Sequence, residues 1–440
     1  MEINRFENIA VLGAAGKMGR GILLLNLIHS ALLQHHPENK NKQFIIHAID
    51  PASEQLDTLM LYLKNQIWKW CEKNSALLQP IFATEPNLDE TEQITRYVNK
   101  ALAIVRPSTR LESAYESRIV FEAVTEQITL KTNILHQINL NNKNNPYFLT
   151  NTSSIPIQEI DQRAGLDGNI IGCHFYNPPA VQKLVEVIEL PKGKRDISEL
   201  VNYFCAQLNK TVVASNDVAG FIGNGFFMRD IEYALKLHGQ LNKQHSFAQS
   251  VHLIDTLTRE LMVRPMGIFQ LIDYVGIDVC HFIIHVMNQH WQEPLSAPLL
   301  AKLLDNNIKG GQNPDGSQKD GLLRYEEGKI KAVLNEDMST YTSTDVLWPE
   351  TTRILGITPE DNLWKTIGKS VDRQELLRAH FEAIRNNQQE GNILTINYIS
   401  AMKNIAHKLY DHHVANSLED INTVMVTGFH HLYGPWNNYI

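Results

Sequence analysis

The chain predicts an α/β domain with a mostly parallel sheet covered on both faces, followed by an all-α C-terminal region with two related helical units. Three observations carry that prediction. Short apolar runs alternate with helical stretches through the first half. Glycines crowd the turn after the first run, and from Asn216 onward apolar residues recur at helical spacing with few β-branched runs.

The first run is Asn8-Ile9-Ala10-Val11-Leu12, followed by Gly13-Ala14-Ala15-Gly16-Lys17-Met18-Gly19 and a helical stretch to about Leu33. Polar residues 34–43 read as a loop, and Phe44-Ile45-Ile46-His47-Ala48-Ile49 reads as a second strand ending at Asp50. Residues 51–118 read as mostly helical, interrupted near Pro80, Pro86 and Pro107. Three further strand-like runs are Ile119-Val120-Phe121, Tyr147-Phe148-Leu149 and Ile170-Ile171-Gly172. The texture turns helical after Val212-Val213, residues 309–329 read as a Gly-rich functional loop or connection, and residues 330–390 are charged and less regular, broken by Pro349 and Pro359.

A weak internal repeat runs through the helical half. Ile254-Asp255-Thr256-Leu257 stands thirteen residues before Gly267, and Ile421-Asn422-Thr423-Val424 stands thirteen before Gly434. Upstream, residues 232–237 are echoed by 405–410. The expected division is a dinucleotide half over 1–213, a first helical unit over 214–330, a connecting segment over 331–390 and a second, truncated helical unit over 391–440. A chain of 440 residues suits two or three such domains.

Composition narrows the function. With 43% hydrophobic and 20% charged residues the chain suits a folded core rather than disorder. Forty Lys+Arg against 48 Asp+Glu leave a net charge of −8, which argues against a general nucleic-acid partner. The longest apolar stretch, Gly21 to Leu33, contains Asn26, His29 and Ser30 and is too short for a membrane span. The N-terminus lacks a secretory layout, so the expectation is an intracellular, cytoplasmic protein. Four scattered cysteines show no C-x-x-C pair, and adjacent histidine pairs such as His35-His36 point to different sides of an element, so no metal site is expected.

Glycines between a strand and a helix allow backbone N–H groups to approach a pyrophosphate at a helix N-terminus. Gly13, Gly16, Lys17, Met18 and Gly19 are therefore cofactor-binding candidates in a Rossmann-like domain. Asp50, ending the second strand, is placed to accept hydrogen bonds from an adenosine ribose and to repel a 2′-phosphate, favouring NAD over NADP. Its alternative role is a cap for the following helix. The 37 positions from Gly13 to Asp50 imply an enlarged first helix or loop.

Three further segments converge. Asn151-Thr152-Ser153-Ser154 follows one strand; His174-Phe175-Tyr176-Asn177-Pro178 follows another, with Lys183-Leu184-Val185-Glu186 twelve residues beyond the histidine; and Asp217-Val218-Ala219-Gly220-Phe221-Ile222-Gly223-Asn224 opens the helical half. This set closely resembles the L-3-hydroxyacyl-CoA dehydrogenase family of fatty-acid β-oxidation, from about Asn8 to Tyr325 and again at about 400–440. The resemblance implies an NAD-dependent enzyme that oxidises an L-3-hydroxyacyl-CoA to the 3-oxoacyl-CoA. It gives His174 the role of general base and Glu186 that of its carboxylate partner. It implies that Ser153 and Asn224 hold the substrate oxygen, that Asn177 lines the nicotinamide and acyl site, and that Glu126 and Lys131 contact the cofactor.

Each residue also has a purely structural role open to it: a strand-end histidine for His174, surface charge for Glu186, a helix cap for Ser153, turn or helix-terminal positions for Asn177 and Asn224, and charges on a solvated helix for Glu126 and Lys131. The family loop reads G-x-G-x-M-G-x-G-I, and this chain is one residue longer there. In the region expected to grip CoA a family serine is matched by Gln66, while Lys73 matches a family lysine and serves as a substrate-binding candidate. Lys319 is a further contact candidate in a lengthened loop. A free hydroxy acid or polyol dehydrogenase, and a non-catalytic relative that keeps the fold, are the competing readings. The expected partner is an acyl-CoA substrate, with other β-oxidation steps on separate chains. The doubled helical unit suggests a monomer with internally paired units or a homodimer.

Overall fold

The computed structural model describes residues 3–83, 88–313, 316–357 and 363–440, in two compact units, one ending at Asp217 and the other beginning at Val218. Pro86 and Pro359, expected as interruptions, lie outside the described residues.

Among the described residues of the first unit, eight strands form one sheet: β1 (Asn8–Leu12), β2 (Ile45–Ile49), β3 (Val105–Ser108), β4 (Ile119–Glu122), β5 (Tyr147–Thr150), β6 (Ile170–Phe175), β7 (Leu184–Ile188) and β8 (Thr211–Ser215). Their spatial order is β3-β2-β1-β4-β5-β6-β7-β8. The six strands from β3 to β6 are parallel, β7 is antiparallel to β6, and β8 is parallel to β7. Seven helices accompany them: α1 (Gly19–His35), α2 (Ser53–Lys73), α3 (Ser75–Leu78), α4 (Glu90–Leu102), α5 (Ile128–Asn141), α6 (Ile157–Ala164) and α7 (Arg195–Gln207).

β1 reads as an unbroken apolar run because both of its faces are covered, and Ile9, Ala10 and Val11 are fully buried. Leu23 and Leu27 of α1 and Leu63 and Ile67 of α2 share the core cluster with Ile9 and Val11. Each such side chain contributes about 1.5–3 kcal/mol on burial. The chain order reverses between β1 and β4, so the loops leaving their carboxyl ends border the crevice where ligands bind in such sheets.

One strand lies within the stretch expected to be mostly helical. Pro107 belongs to β3, at the edge of the sheet, where a residue without an N–H is tolerated.

The second unit contains α8 (Phe221–Leu241), α9 (Phe247–Thr256), α10 (Ile268–Val275), α11 (Ile277–His290), α12 (Pro298–Asp305), α13 (Thr344–Leu355), α14 (Leu363–Lys369), α15 (Arg373–Arg385), α16 (Glu390–Asp411) and α17 (Leu418–Gly428). The all-α expectation is corrected here. Strands β9 (Leu323–Glu326), β10 (Lys329–Leu334) and β11 (Tyr341–Ser343) form an antiparallel sheet. The β9–β10 hairpin turns through Glu327 and Gly328, both at positive φ, as a two-residue turn requires. The segment expected to be an irregular connection carries β10, β11 and α13 to α15. Pro349 lies inside α13, where burial of Leu347, Ile354 and Leu355 opposes the cost of its missing N–H. Among the described residues no single helix is long and apolar enough to cross a membrane.

The repeated segments share one local construction. A Cβ on Gly267 would collide with the Asp255 side chain, and a Cβ on Gly434 with that of Asn422. The Asp255 carboxylate accepts the Gln270 N–H at 2.8 Å, and the Asn422 amide oxygen accepts the Trp436 N–H at 2.9 Å. Helices α8 and α16 meet at buried Asp230, which accepts the Tyr398 hydroxyl at 2.7 Å and pairs with Arg264 at 2.7 Å.

Candidate functional site

The glycine loop leaves β1 in a conformation that side chains rarely adopt. Gly13 has φ +69°, and a Cβ there would stand 2.6 Å from the Ala123 carbonyl oxygen. A Cβ on Gly19, where α1 begins, would collide with the Gly13 carbonyl. The loop closes through the Gly16 N–H, donated to the Gly13 oxygen at 3.1 Å. Side chains at these positions would fill the turn, so the glycines preserve the close backbone approach that a dinucleotide pyrophosphate needs. Lys17 is exposed and Met18 half-buried. Asp50, 8% exposed, accepts the Ala15 N–H at 3.1 Å and the Ala52 N–H at 3.1 Å. It ties the glycine loop to the residue preceding α2.

A charged network joins the next two loops. Lys131, on α5, is 1% exposed and contacts Glu122 at 2.8 Å and Glu126 at 3.0 Å. Burial works against its charge, but the two carboxylates outweigh that effect and hold its pKa above the ordinary value. Glu122, which ends β4, also accepts the Thr150 hydroxyl at 2.6 Å and the Val124 N–H at 2.8 Å. Glu126 accepts the Thr152 hydroxyl at 2.5 Å and the Ser153 N–H at 2.9 Å. Burial raises the Glu126 pKa, but Lys131 and these donors outweigh it and hold the carboxylate below its usual value. Lys131 is thus buried in a fixed network that reaches out to the half-buried Glu126, and neither is a charge on a solvated helix.

His174 and Glu186 face each other directly in the antiparallel register of β6 and β7. His174 Nδ1 lies 3.1 Å from Glu186 Oε1; the histidine is 8% exposed and the glutamate fully buried, which excludes simple surface charge for Glu186. The Tyr176 hydroxyl donates to the same Oε1 at 2.7 Å. Burial and the Glu186 carboxylate push the phenol well above its ordinary pKa, so it remains a donor. The Asn151 amide oxygen accepts the Phe175 N–H at 2.9 Å, binding the β5 loop to the end of β6.

Ser153 does not cap α6. The Asp217 carboxylate takes the Ile157 and Gln158 N–H groups at 2.6 and 2.7 Å instead. Asn177 is half-buried in the loop after β6. Lys73 is exposed at the last residue of α2, Gln66 is half-buried in that helix, and Lys319 is exposed in the second unit. Asn224 is half-buried near the start of α8 in the second unit.

The first unit therefore brings together His174 with Glu186, and Ser153 with Glu126 and Lys131. Glu122, Tyr176 and Asp217 had not been singled out from the sequence. A signal existed for Tyr176, which stands two residues after His174 where the chain leaves β6 still extended. Glu122 was signalled only by an acid ending an apolar run.

Residues 8–218 match the NAD binding domain of 3-hydroxyacyl-CoA dehydrogenase, and residues 220–320 match its C-terminal domain. The chain is 33% identical over 236 residues to the mitochondrial hydroxyacyl-coenzyme A dehydrogenase of Rattus norvegicus, covering 52% of this chain and 71% of that protein. It is 26% identical over 323 residues to a probable 3-hydroxyacyl-CoA dehydrogenase of Caenorhabditis elegans, covering 72% and 94%. The solved 3-hydroxybutyryl-CoA dehydrogenase of Escherichia coli K12 superposes with a TM-score of 0.62 at 19% identity, over 98% of this chain and 90% of that one, and so supports the fold. The chain belongs to the 3-hydroxyacyl-CoA dehydrogenase family, oxidoreductases that act on CH–OH groups, and its cofactor is NAD.

Proposed function

We propose that the chain catalyses reversible oxidation of an L-3-hydroxyacyl-CoA to the 3-oxoacyl-CoA, with His174 as general base paired with Glu186. The observation that supports this most is their direct opposition across β6 and β7, with Glu186 fully buried. A proton on Nδ1 is donated to Glu186, which leaves Nε2 as the nitrogen that takes the proton of the C3 hydroxyl. NAD held at the glycine loop and Asp50 would supply the hydride acceptor for C3.

The positive charge that develops on the imidazole is met by the Glu186 carboxylate, whose position Tyr176 helps to hold. Ser153 presents its hydroxyl to the substrate oxygen from a loop held by Glu126, and Asn177 lines the reacting region. Gly13, Gly16, Lys17, Met18, Gly19, Asp50, Glu126 and Lys131 serve the cofactor, directly or by setting the loops that approach it. Asn224 and Lys73 keep the substrate roles that the family resemblance implies, and Asn224→Ala and Lys73→Ala in the same assay test them.

NADH oxidation with acetoacetyl-CoA is the test. His174→Ala should lower kcat by about 10²–10⁴-fold, the usual contribution of a positioned acid–base group. Retention of most activity would remove the assigned base. Cleaving CoA from the substrate should abolish turnover, whereas full activity on the free acid would favour a hydroxy-acid dehydrogenase.

A further inference from the structure

Arg229 lies on α8, five residues after Asn224, and has no part in the reaction above. It is 4% exposed, yet among the described residues no carboxylate lies within ion-pair distance of it. Its guanidinium donates to the Gly225 carbonyl at 2.7 Å and stands 3.9 Å from the centre of the Trp291 ring, while its buried Nε has no hydrogen-bond partner. A buried charge with an idle donor is costly unless something of opposite sign meets it. Burial accordingly pushes its pKa down to about 10, with the more distant Glu232 and Glu293 acting in the other direction.

Arg229 lines a cavity of about 310 Å³ together with Glu232, Tyr233, Lys236, Asn404 and Lys408. The charges at its rim are already matched. Lys236 pairs with Glu232 at 3.3 Å and Lys408 with Glu293, and Glu232 also accepts the Ser296 N–H at 3.0 Å. Arg229 is the lining cation left over, and neither the Tyr233 hydroxyl nor the Asn404 amide has a hydrogen-bond partner among the described residues. The remaining wall is apolar, from Leu295, Ala401 and Ile405.

We propose that this cavity of the second unit binds a small oxyanion, a carboxylate or phosphate group, on Arg229, with Tyr233 and Asn404 as neutral donors. The apolar wall suits a short hydrocarbon attached to that group. The site is independent of the dehydrogenase reading, because it uses none of the residues assigned to that reaction.

Calorimetric titration of the full chain, with inorganic phosphate in one arm and acetate in the other, tests the proposal. At least one anion should bind saturably, and the stronger arm distinguishes the two sources. Arg229→Gln should weaken that event at least tenfold while leaving NADH binding unchanged. Ala401→Phe, which fills the cavity and leaves the cation in place, should do the same, and it decides the matter if the arginine variant does not fold. A crystal of the unaltered chain soaked in selenate should show the anion beside the Arg229 guanidinium. Binding retained in either folded variant, or no selenate at Arg229, would overturn the site.

Discussion

Two charged clusters sit near the carboxyl ends of the parallel strands, and they are built to opposite ends. Around Lys131, two carboxylates, three hydroxyls and two backbone N–H groups form a many-partnered network that fixes the ammonium. At β6 and β7, one carboxylate supports one imidazole that keeps a small exposed surface. Such a network fixes backbone, here the loops after β4 and β5. A dyad fixes a single imidazole ring, so the same carboxylate chemistry yields a brace in one place and, in the proposed reaction, the support of a base in the other.

Breaking the brace should give the largest effect. Lys131→Met strands the fully buried Glu122, and urea unfolding should show a loss of about 3–5 kcal/mol. Breaking the dyad should leave stability nearly intact and cost rate instead. Glu186→Gln should lower kcat about 10²-fold, the low end of acid–base contributions, with little change in the melting temperature. Tyr176→Phe removes one hydrogen bond to a charged group while keeping the ring. It should slow turnover by about tenfold, or ~1.4 kcal/mol, and leave KM for NADH unchanged.

The smallest effect sharpens the comparison through pH. Lys131 has a folded-state pKa raised above 10.5, so its contribution is fully present below that value and is lost as pH rises through the folded pKa. Glu126 has a folded-state pKa depressed below 4.5, so its contribution is present above that value and is lost as pH falls through the folded pKa. Thermal melts should therefore weaken on both flanks, and Lys131→Met should flatten the alkaline one. An unchanged alkaline flank in that variant would mean that the network is not what titrates there.

Much of the first unit is legible in the sequence because its signals are local. The glycines of the first turn, the acid after β2 and the H-F-Y-N-P segment each sit beside an apolar strand. What escaped depends on pairing between distant segments. Glu186 was placed by family resemblance, but its exact opposition to His174 follows from an antiparallel register that no local pattern announces. Lys131 looks like an ordinary helix charge until Glu122 is brought against it from β4. In the second unit, charged residues along β9 and β10 hide a hairpin, and Pro349 suggests a break in a helix that tertiary packing preserves.

The most direct test of the central claim, that Glu186 works through His174, is a double-mutant cycle on the single-turnover rate with acetoacetyl-CoA and NADH. If the two act as one unit, His174→Ala combined with Glu186→Gln should be no slower than His174→Ala alone. Losses that multiply across the two substitutions would show that Glu186 acts independently, and would contradict the account.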